Sequence, residues 1–462
     1  MNKDLTNIQN IYFVGAGGIG MAALERYFLA KGKNVAGYDR TSTALTDELC
    51  SEGVEISFDE SIDSIPNDFR NPDTTLVVYT PAVPDSLPIL EYFRANGFDV
   101  LKRAAVLGLI TRSSRSLCFA GTHGKTTTSS MAAHILKSGS VGCNAFLGGE
   151  LINYGTNFLI SPSSDFSVIE ADEFDRSFHH LTPYVAVITA TDPDHLDIYG
   201  DEAAYLESFA HFTELIRPGG SLVIHEDLKL KPRPQEGVRV LTYSRDKGDF
   251  HATYIRREPG NITFDIVTPR GTIRNVNLGV PVEVNIENAV AAVAAVCLTN
   301  AWEPEVIREA ISSYRGTKRR FETHLKEDNG AGHVIIDDYA HHPEEIRKSI
   351  ESVKALYPGR RLTVAFQPHL YSRTRDFAAE FADALSAADS LVLLDIYPAR
   401  EAPIAGVSSR IIFDNVKCED KSLISKEKLV ETLKNRNFDI LLTLGAGDIN
   451  TYIPQIIGSL KE

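Results

Sequence analysis

No run of about 18 apolar residues occurs anywhere in the 462-residue chain, so nothing in it reads as a membrane-spanning helix. The opening segment, MNKDLTNIQN, lacks the basic region and apolar core of a secretory signal, and the expected compartment is the cytoplasm. Paired cysteines are missing too. Cys50, Cys118, Cys143, Cys297 and Cys418 are scattered and never in C-x-x-C spacing, which argues against a disulfide frame or a zinc site and leaves them as reduced, structural residues. A basic surplus is absent: the formal net charge of -15 disfavours nucleic acid as a partner, although local basic clusters can still hold small anions. Three such clusters occur, Lys102-Arg103, Lys318-Arg319-Arg320 and Arg373-x-Arg375. Neither internal repeats nor low-complexity tracts interrupt the chain.

What is present is ordinary globular composition, 43% hydrophobic and 24% charged, in a chain too long for one core. Three α/β domains are expected, over 1–109, 110–316 and 317–462. The first reads strand, glycine loop, helix, strand from Ile11, with another apolar run at Leu76 to Tyr79, a Rossmann-like parallel pattern. The second opens with a strand at Ser116 to Ala120 and a helix at about Thr126 to Leu136. It carries apolar strands ending near Glu170 and Ala190, then β-like runs between Phe250 and Pro281 broken by turn residues, which predict an antiparallel meander. An alanine-rich helix from Asn285 to Leu298 closes it. The third alternates strands (Val334 to Asp337, Leu362 to Phe366, Leu391 to Asp395, Ile440 to Leu444) with helices, again a parallel, Rossmann-like design.

Gly15-Ala16-Gly17-Gly18-Ile19-Gly20 fits G-x-G-x-x-G between a strand and a helix, and Asp39 ends the next strand. Glycines there let the backbone approach a diphosphate at a helix N-terminus. That diphosphate could belong to NAD, FAD or a UDP-sugar, and at this point a redox reading stands level with the others. A ligand-free glycine turn is disfavoured, since three correctly spaced glycines cost chain entropy that a purely structural turn has no need of.

The second loop, Gly121-Thr122-His123-Gly124-Lys125-Thr126-Thr127-Thr128, also joins a strand to a helix. Its amides and Lys125 can surround phosphates while Thr126 offers a hydroxyl to Mg²⁺, which defines a nucleoside triphosphate site. Phe119 stands where the common P-loop has its first glycine, and the shorter G-x-x-G-K-T-T form belongs to a narrower group. Glu170 ends an apolar strand where a P-loop ATPase holds a carboxylate toward its metal, the alternative being an exposed acidic turn. His195 follows the strand Val185 to Ala190 and reads as a second-metal ligand, against the structural role usual for a lone histidine. In the third unit, Asp337-Asp338-Tyr339-Ala340-His341-His342-Pro343 and Gln367-Pro368-His369-Leu370-Tyr371-Ser372-Arg373 both follow strands and gather polar groups at one sheet edge. Lys318-Arg319-Arg320 lies at a domain boundary, placed either to touch a phosphate or to be a solvated linker.

Together these segments resemble the Mur ligases, ATP-dependent amide-forming enzymes of peptidoglycan synthesis, with matching stretches from Gly15 to Gly447. GTHGKTTT and EADE are shared across that family; DHLD with the following YGD, GTKRRFE, DDYAHHP, FQPHLYSRTRDF and LLDIYPAREAPI look like its alanine-adding branch. The resemblance implies joining of L-alanine to the lactyl carboxylate of UDP-N-acetylmuramate, with Mg²⁺, or Mn²⁺ in its place, as cofactor; the alternative is a recycling ligase that attaches a ready-made tripeptide. It implies that Gly15 to Gly20 and Asp39 bind the UDP diphosphate end and Arg103 the muramyl end. Lys125 would bind the β and γ phosphates, Thr126, Glu170 and His195 would serve the metal, and Asn288 would approach the adenine. Asp337 would lie near the ribose, Arg320 near the transferring phosphate, and Tyr339, His341, His369 and Arg373 around the amino acid, with His341 or His369 as candidate base. The chain departs from the family at Val284, where a histidine is usual, at Leu370, where many relatives have arginine, and in having no lysine between His195 and Lys229. Expected partners are the three small-molecule substrates, with no nucleic acid and no membrane, in a monomer or a homodimer.

Overall fold

A computed structural model describes residues 7–80, 82–193, 196–327, 332–399 and 401–460; for Ile19, Leu196 and Asp197 it describes the backbone alone. The first sheet is built from β1 (Asn10–Val14), β2 (Asn34–Tyr38), β3 (Glu55–Ser57), β4 (Thr75–Tyr79) and β5 (Asp99–Lys102). All its pairings are parallel, in the order β3-β2-β1-β4-β5. The order reverses beside β1, so the glycine loop that follows β1 leaves the sheet at the switch point where open α/β sheets take ligands.

The second sheet contains β6 (Arg115–Ala120), β7 (Asn144–Leu151), β8 (Thr156–Leu159), β9 (Phe166–Glu170), β10 (Val185–Ile188), β11 (Ser221–His225) and β12 (Arg239–Tyr243). Its order is β12-β11-β10-β6-β9-β7-β8, parallel except for the β7–β8 hairpin. β6, β9 and β10 are apolar and buried along nearly their whole length, as a sheet covered on both faces requires. Their carboxyl ends therefore emerge side by side, carrying the loop at Gly121, Glu170 and Thr189. The predicted meander is present as the antiparallel sheet β13 (His251–Glu258), β14 (Asn261–Thr268) and β15 (Gly271–Asn277). In β14 every second residue is buried, the period of a strand with one wet face.

The third α/β unit orders β16 (Glu322–Lys326), β17 (Val334–Asp338), β18 (Leu362–Phe366), β19 (Ser390–Leu394), β20 (Lys421–Ile424) and β21 (Ile440–Leu444) as β16-β17-β21-β18-β19-β20. Only β16 runs antiparallel. The units are packed against one another: one apolar core joins the helix Ile19–Ala30 to Phe146 and Ile169 of the second sheet. Another joins the helix Val284–Cys297 to Ile346 and Ile350 of the third unit.

One residue of the first unit breaks the rule that buried carboxylates are paired. Glu25, in the middle of the helix Ile19–Ala30, is 0% exposed, and among the described residues neither carboxylate oxygen has a hydrogen-bond partner. Burial pushes its pKa well above the ordinary carboxylate range, only partly offset by Arg26. Arg26 itself turns outward to Glu48 and Glu52.

Candidate active site

The first glycine loop is shaped by close approach. Gly15 has φ +89°, and a Cβ there would lie 2.5 Å from Thr80 Cγ2. The Gly17 amide donates to Asp39 Oδ2 at 2.6 Å, and the Thr41 amide to Asp39 Oδ1 at 3.2 Å. Asp39 thus ties down the loop through its own carboxylate. Ala16 is fully buried, and Gly18 caps the helix whose first turn contains Gly20. A Cβ on Gly20 would stand 3.1 Å from Arg103 Nη1, so the guanidinium lies directly over the loop. Burial lowers the Arg103 pKa, opposed by Asp172 and Glu170 of the second unit. The arginine therefore faces both the diphosphate loop and the acidic stretch, a place suited to an anion lying between them.

In the second loop, Gly121 has φ +139°, and a Cβ would collide with Thr189 Oγ1 at 2.2 Å. Thr189 in turn donates to the His123 carbonyl. Thr122 Oγ1 donates to the Asp192 carbonyl at 2.6 Å and lies 2.9 Å from the Tyr205 hydroxyl. Gly124, at φ +81°, precedes the helix Lys125–Ser138, so the amides at the start of that helix point into the loop. Thr126 Oγ1 donates to Glu170 Oε1 at 2.8 Å, and the Gly148 amide donates to Glu170 Oε2 at 2.8 Å. These hard oxygen donors at one sheet edge fit a small divalent cation. His195, the third expected metal ligand, lies outside the described residues, as does the side chain of Ile19.

Gly124, Thr127, Val282, Val284, Asn285 and Asn288 form one wall of a cleft, and Arg320, Phe321, Asp338, Lys348, Ser349 and Ser352 form the other. Apolar Val282, Val284 and Phe321 suit the faces of a base; Arg320 approaches the loop from the third unit. Asn288 is braced from within its own wall: its Nδ2 donates to Asn285 Oδ1 at 2.9 Å, and its Oδ1 accepts from Thr128 at 3.2 Å.

The two aspartates of DDY are separated by strand parity. Asp337 is 0% exposed, accepts from Thr443 at 2.6 Å and pairs with Arg319 Nε at 3.3 Å. Its side chain therefore does not reach the cleft, contrary to the expectation that it would lie near the ribose. Asp338, one residue on and on the opposite face of β17, lines the cleft instead. Burial raises the Asp338 pKa to about 6, opposed by its bond to Ser349 and by Arg320. The same division separates the neighbouring arginines: Arg319 donates to the carbonyls of Gly445 and Gly447 and is structural, whereas Arg320 faces the cleft.

The structure brings together the four residues expected around the amino acid. The Arg319 and Arg320 guanidinium carbons lie 4.9 and 5.4 Å from the Tyr339 ring centroid, and Tyr339 lies 5.3 Å from His341. His341 is 6.2 Å from His369, which stacks on Tyr397 at 5.8 Å. Arg373 Nη1 is 3.4 Å from His369 Nδ1. Burial, then Arg373 and His341, push the His369 pKa down to about 4; burial also lowers that of His341. Both imidazoles are accordingly neutral near pH 7 and able to accept a proton. Leu370, between these groups, holds φ +72°, backbone strain of the kind concentrated at functional sites.

Sequence reasoning missed Gly148 and Gly149. A Cβ on Gly148 would lie 2.5 Å from Glu170 Oε1, and one on Gly149 would lie 3.2 Å from Thr126 Cγ2. The Gly-Gly pair inside an apolar strand was the available signal for close backbone approach.

Three family descriptions tile this architecture: Mur ligase family, catalytic domain, over residues 10–115; Mur ligase middle domain over 119–296; and Mur ligase, glutamate ligase domain, over 319–447. The chain belongs to the Mur ligase family. Within it, the chain is 55% identical over 460 residues to the UDP-N-acetylmuramate--L-alanine ligase of Phocaeicola vulgatus, covering 99% of this chain and 100% of that protein. It is 58% identical over 454 residues to the enzyme of the same name from Parabacteroides distasonis, covering 98% and 97%. The crystal structure of the UDP-N-acetylmuramate-alanine ligase of Thermotoga maritima superposes with a TM-score of 0.75 at 26% identity, over 98% of this chain and 99% of that one. A murein peptide ligase of Psychrobacter arcticus shares the fold, with a TM-score of 0.62 at 20% identity over 98% of each chain.

Proposed function

We propose that the chain is an ATP-dependent ligase joining L-alanine to the lactyl carboxylate of UDP-N-acetylmuramate, giving ADP and phosphate in peptidoglycan precursor synthesis. The observation that carries this reading is end-to-end identity above one half with relatives bearing that name. A tripeptide-adding ligase is disfavoured, because the murein peptide ligase resembles this chain in fold alone.

A carboxylate does not accept an amine at neutral pH, so the lactyl carboxylate oxygen first attacks the γ-phosphorus of ATP. An acyl phosphate forms and ADP leaves. Two anions must meet for this, and Lys125 of the second unit's loop and Arg320 of the third unit reduce their repulsion. Mg²⁺, or Mn²⁺ in its place, held by Thr126 and Glu170 with His195, would supply further charge neutralisation. The loop amides orient the phosphates, and Asp338 rather than Asp337 takes the ribose side. Arg373 holds the alanine carboxylate near His369 and His341. One of these imidazoles takes the amine proton as nitrogen attacks the acyl carbon and phosphate departs. The glycine loop at Gly15 and Arg103 hold the nucleotide sugar. Among the described residues no helix is long and apolar enough to cross a membrane.

The test is isotope transfer. UDP-N-acetylmuramate labelled with ¹⁸O in the lactyl carboxylate should deliver one label to the released phosphate. Turnover without label transfer would exclude the acyl phosphate, and absence of alanine-dependent phosphate release would exclude the ligase.

A further inference from the structure

Lys125 is already engaged at its tip. Its Nζ lies 2.9 Å from Glu173 Oε1 and 2.8 Å from Glu173 Oε2, and it donates to the Gly121 carbonyl at 2.6 Å. The Glu173 side chain is 2% exposed, and both of its oxygens face the Lys125 ammonium. Glu170, the first carboxylate of the EADE stretch, has a separate task, since it is bonded to Thr126 and the Gly148 amide.

The backbone around Glu173 is fixed as well. Its carbonyl accepts from the Tyr199 hydroxyl at 2.5 Å and from the Arg176 amide at 3.0 Å. Tyr199 packs edge-on against Tyr205 at 4.9 Å, and the Tyr205 hydroxyl is 2.9 Å from Thr122 of the phosphate loop. Just beyond, Asp175 and Arg176 hold left-handed φ values of 50° and 56°, with the Arg176 guanidinium 4.7 Å over the Tyr199 ring. Glu173 is thus anchored to the same loop whose lysine it meets.

Two arrangements could follow when nucleotide arrives: the lysine leaves Glu173 for the phosphates, or the phosphates come to a lysine that stays. Departure would strand a buried carboxylate without a counterion beside an incoming polyanion, the costliest change such a pair can undergo. Retention keeps the ammonium beside the Gly121 carbonyl, where its positive charge faces the loop with no change of partner. We infer that Glu173 is a positioning residue, an anchor that holds Lys125 at the mouth of the phosphate loop before and during phosphoryl transfer. The inference rests on the ligase reading for its kinetic consequence, but the anchoring itself does not.

The experiment uses the full chain with Glu173→Ala and the isosteric Glu173→Gln, each beside the parent. Amine-selective acetylation without nucleotide, read by mass spectrometry, should label Lys125 at least about tenfold faster in Glu173→Ala, with Glu173→Gln between, because loss of the buried partner frees the ammonium. In turnover, kcat should fall on the order of a hundredfold in Glu173→Ala, the scale seen when a preorganised charge-stabilising group is lost. KM for UDP-N-acetylmuramate and for alanine should stay within about twofold, as binding sites remote from the lost contact are left intact. Unchanged Lys125 labelling overturns the anchoring, and a parental kcat in Glu173→Ala overturns its part in phosphoryl transfer. If Glu173→Ala fails to fold, Glu173→Gln carries the same two readouts. If the parent itself shows no turnover, the ligase reading fails, and the labelling result still decides whether Glu173 anchors Lys125.

Discussion

Replacing Glu25 with methionine should make the protein more stable. The parent carboxylate is fully buried in the helix Ile19–Ala30, both oxygens lack hydrogen-bond partners among the described residues, and Asp39 and Glu52 add repulsion to the cost of burial. Leaving a buried acceptor unsatisfied costs about 1–3 kcal/mol, and a flexible apolar side chain of similar length removes that cost while filling the space. The expected gain is about 2 kcal/mol, worth at least about 4 °C in the melting transition of a unit this size. The pH dependence gives a second handle. A carboxyl whose pKa is raised on folding keeps its proton in the native state after the unfolded chain has lost it. Native stability is therefore greatest below the ordinary glutamate value and declines as pH rises from there toward the folded pKa. The advantage of Glu25→Met should accordingly be larger at pH 8 than at pH 5. Glu25→Gln, which removes the titration but leaves a buried amide unpaired, should recover only the pH-dependent part. Calorimetric melts of the three proteins at both pH values test this. A lower melting temperature for Glu25→Met, or a gain that is the same at pH 5 and pH 8, would refute the reasoning.

Three further outcomes are expected. Lys125→Ala should abolish ATP-dependent product formation while leaving UDP-sugar binding, followed by calorimetry, largely intact; retained turnover would remove the ATP-site assignment. Asp338→Ala should raise KM for ATP by about tenfold, the effect of losing one hydrogen-bonding contact to a charged or polar ligand. Asp337→Ala should act mainly on stability, by freeing Arg319 and Thr443, and equal KM effects for the two would contradict the division at β17. The acid limb of kcat/KM should lie below the ordinary histidine range, because burial and Arg373 push His369 down to about 4 and burial lowers His341 as well. A limb near the ordinary histidine value of about 6.5 would rule both out as the base.

Much of this architecture was legible from local pattern. The apolar runs feeding Gly15, Gly121 and Glu170 are short, continuous and bounded by glycine or acid, so their strands and carboxyl-edge loops could be read directly. What resisted reading depends on direction or on distant partners. Nothing in DDY or KRR says which aspartate or which arginine faces the cleft; that follows from the pairing of β17 with β21 and from the Gly445 and Gly447 carbonyls that capture Arg319. The antiparallel β16 and the β7–β8 hairpin were not foreseen, because each is defined by a partner strand more than by its own sequence. EADE announced a metal carboxylate, yet only the fold separates Glu170, bonded to Thr126, from Glu173, bonded to Lys125.

Which amine meets the activated sugar is settled by offering both. Purified protein is incubated with UDP-N-acetylmuramate, ATP and Mg²⁺, with either L-alanine or the murein tripeptide supplied as amine, and product is followed by mass spectrometry alongside ADP release. The expected product is UDP-N-acetylmuramoyl-L-alanine with one ADP per product and no tripeptide adduct; preferential attachment of the tripeptide would overturn the alanine-ligase reading.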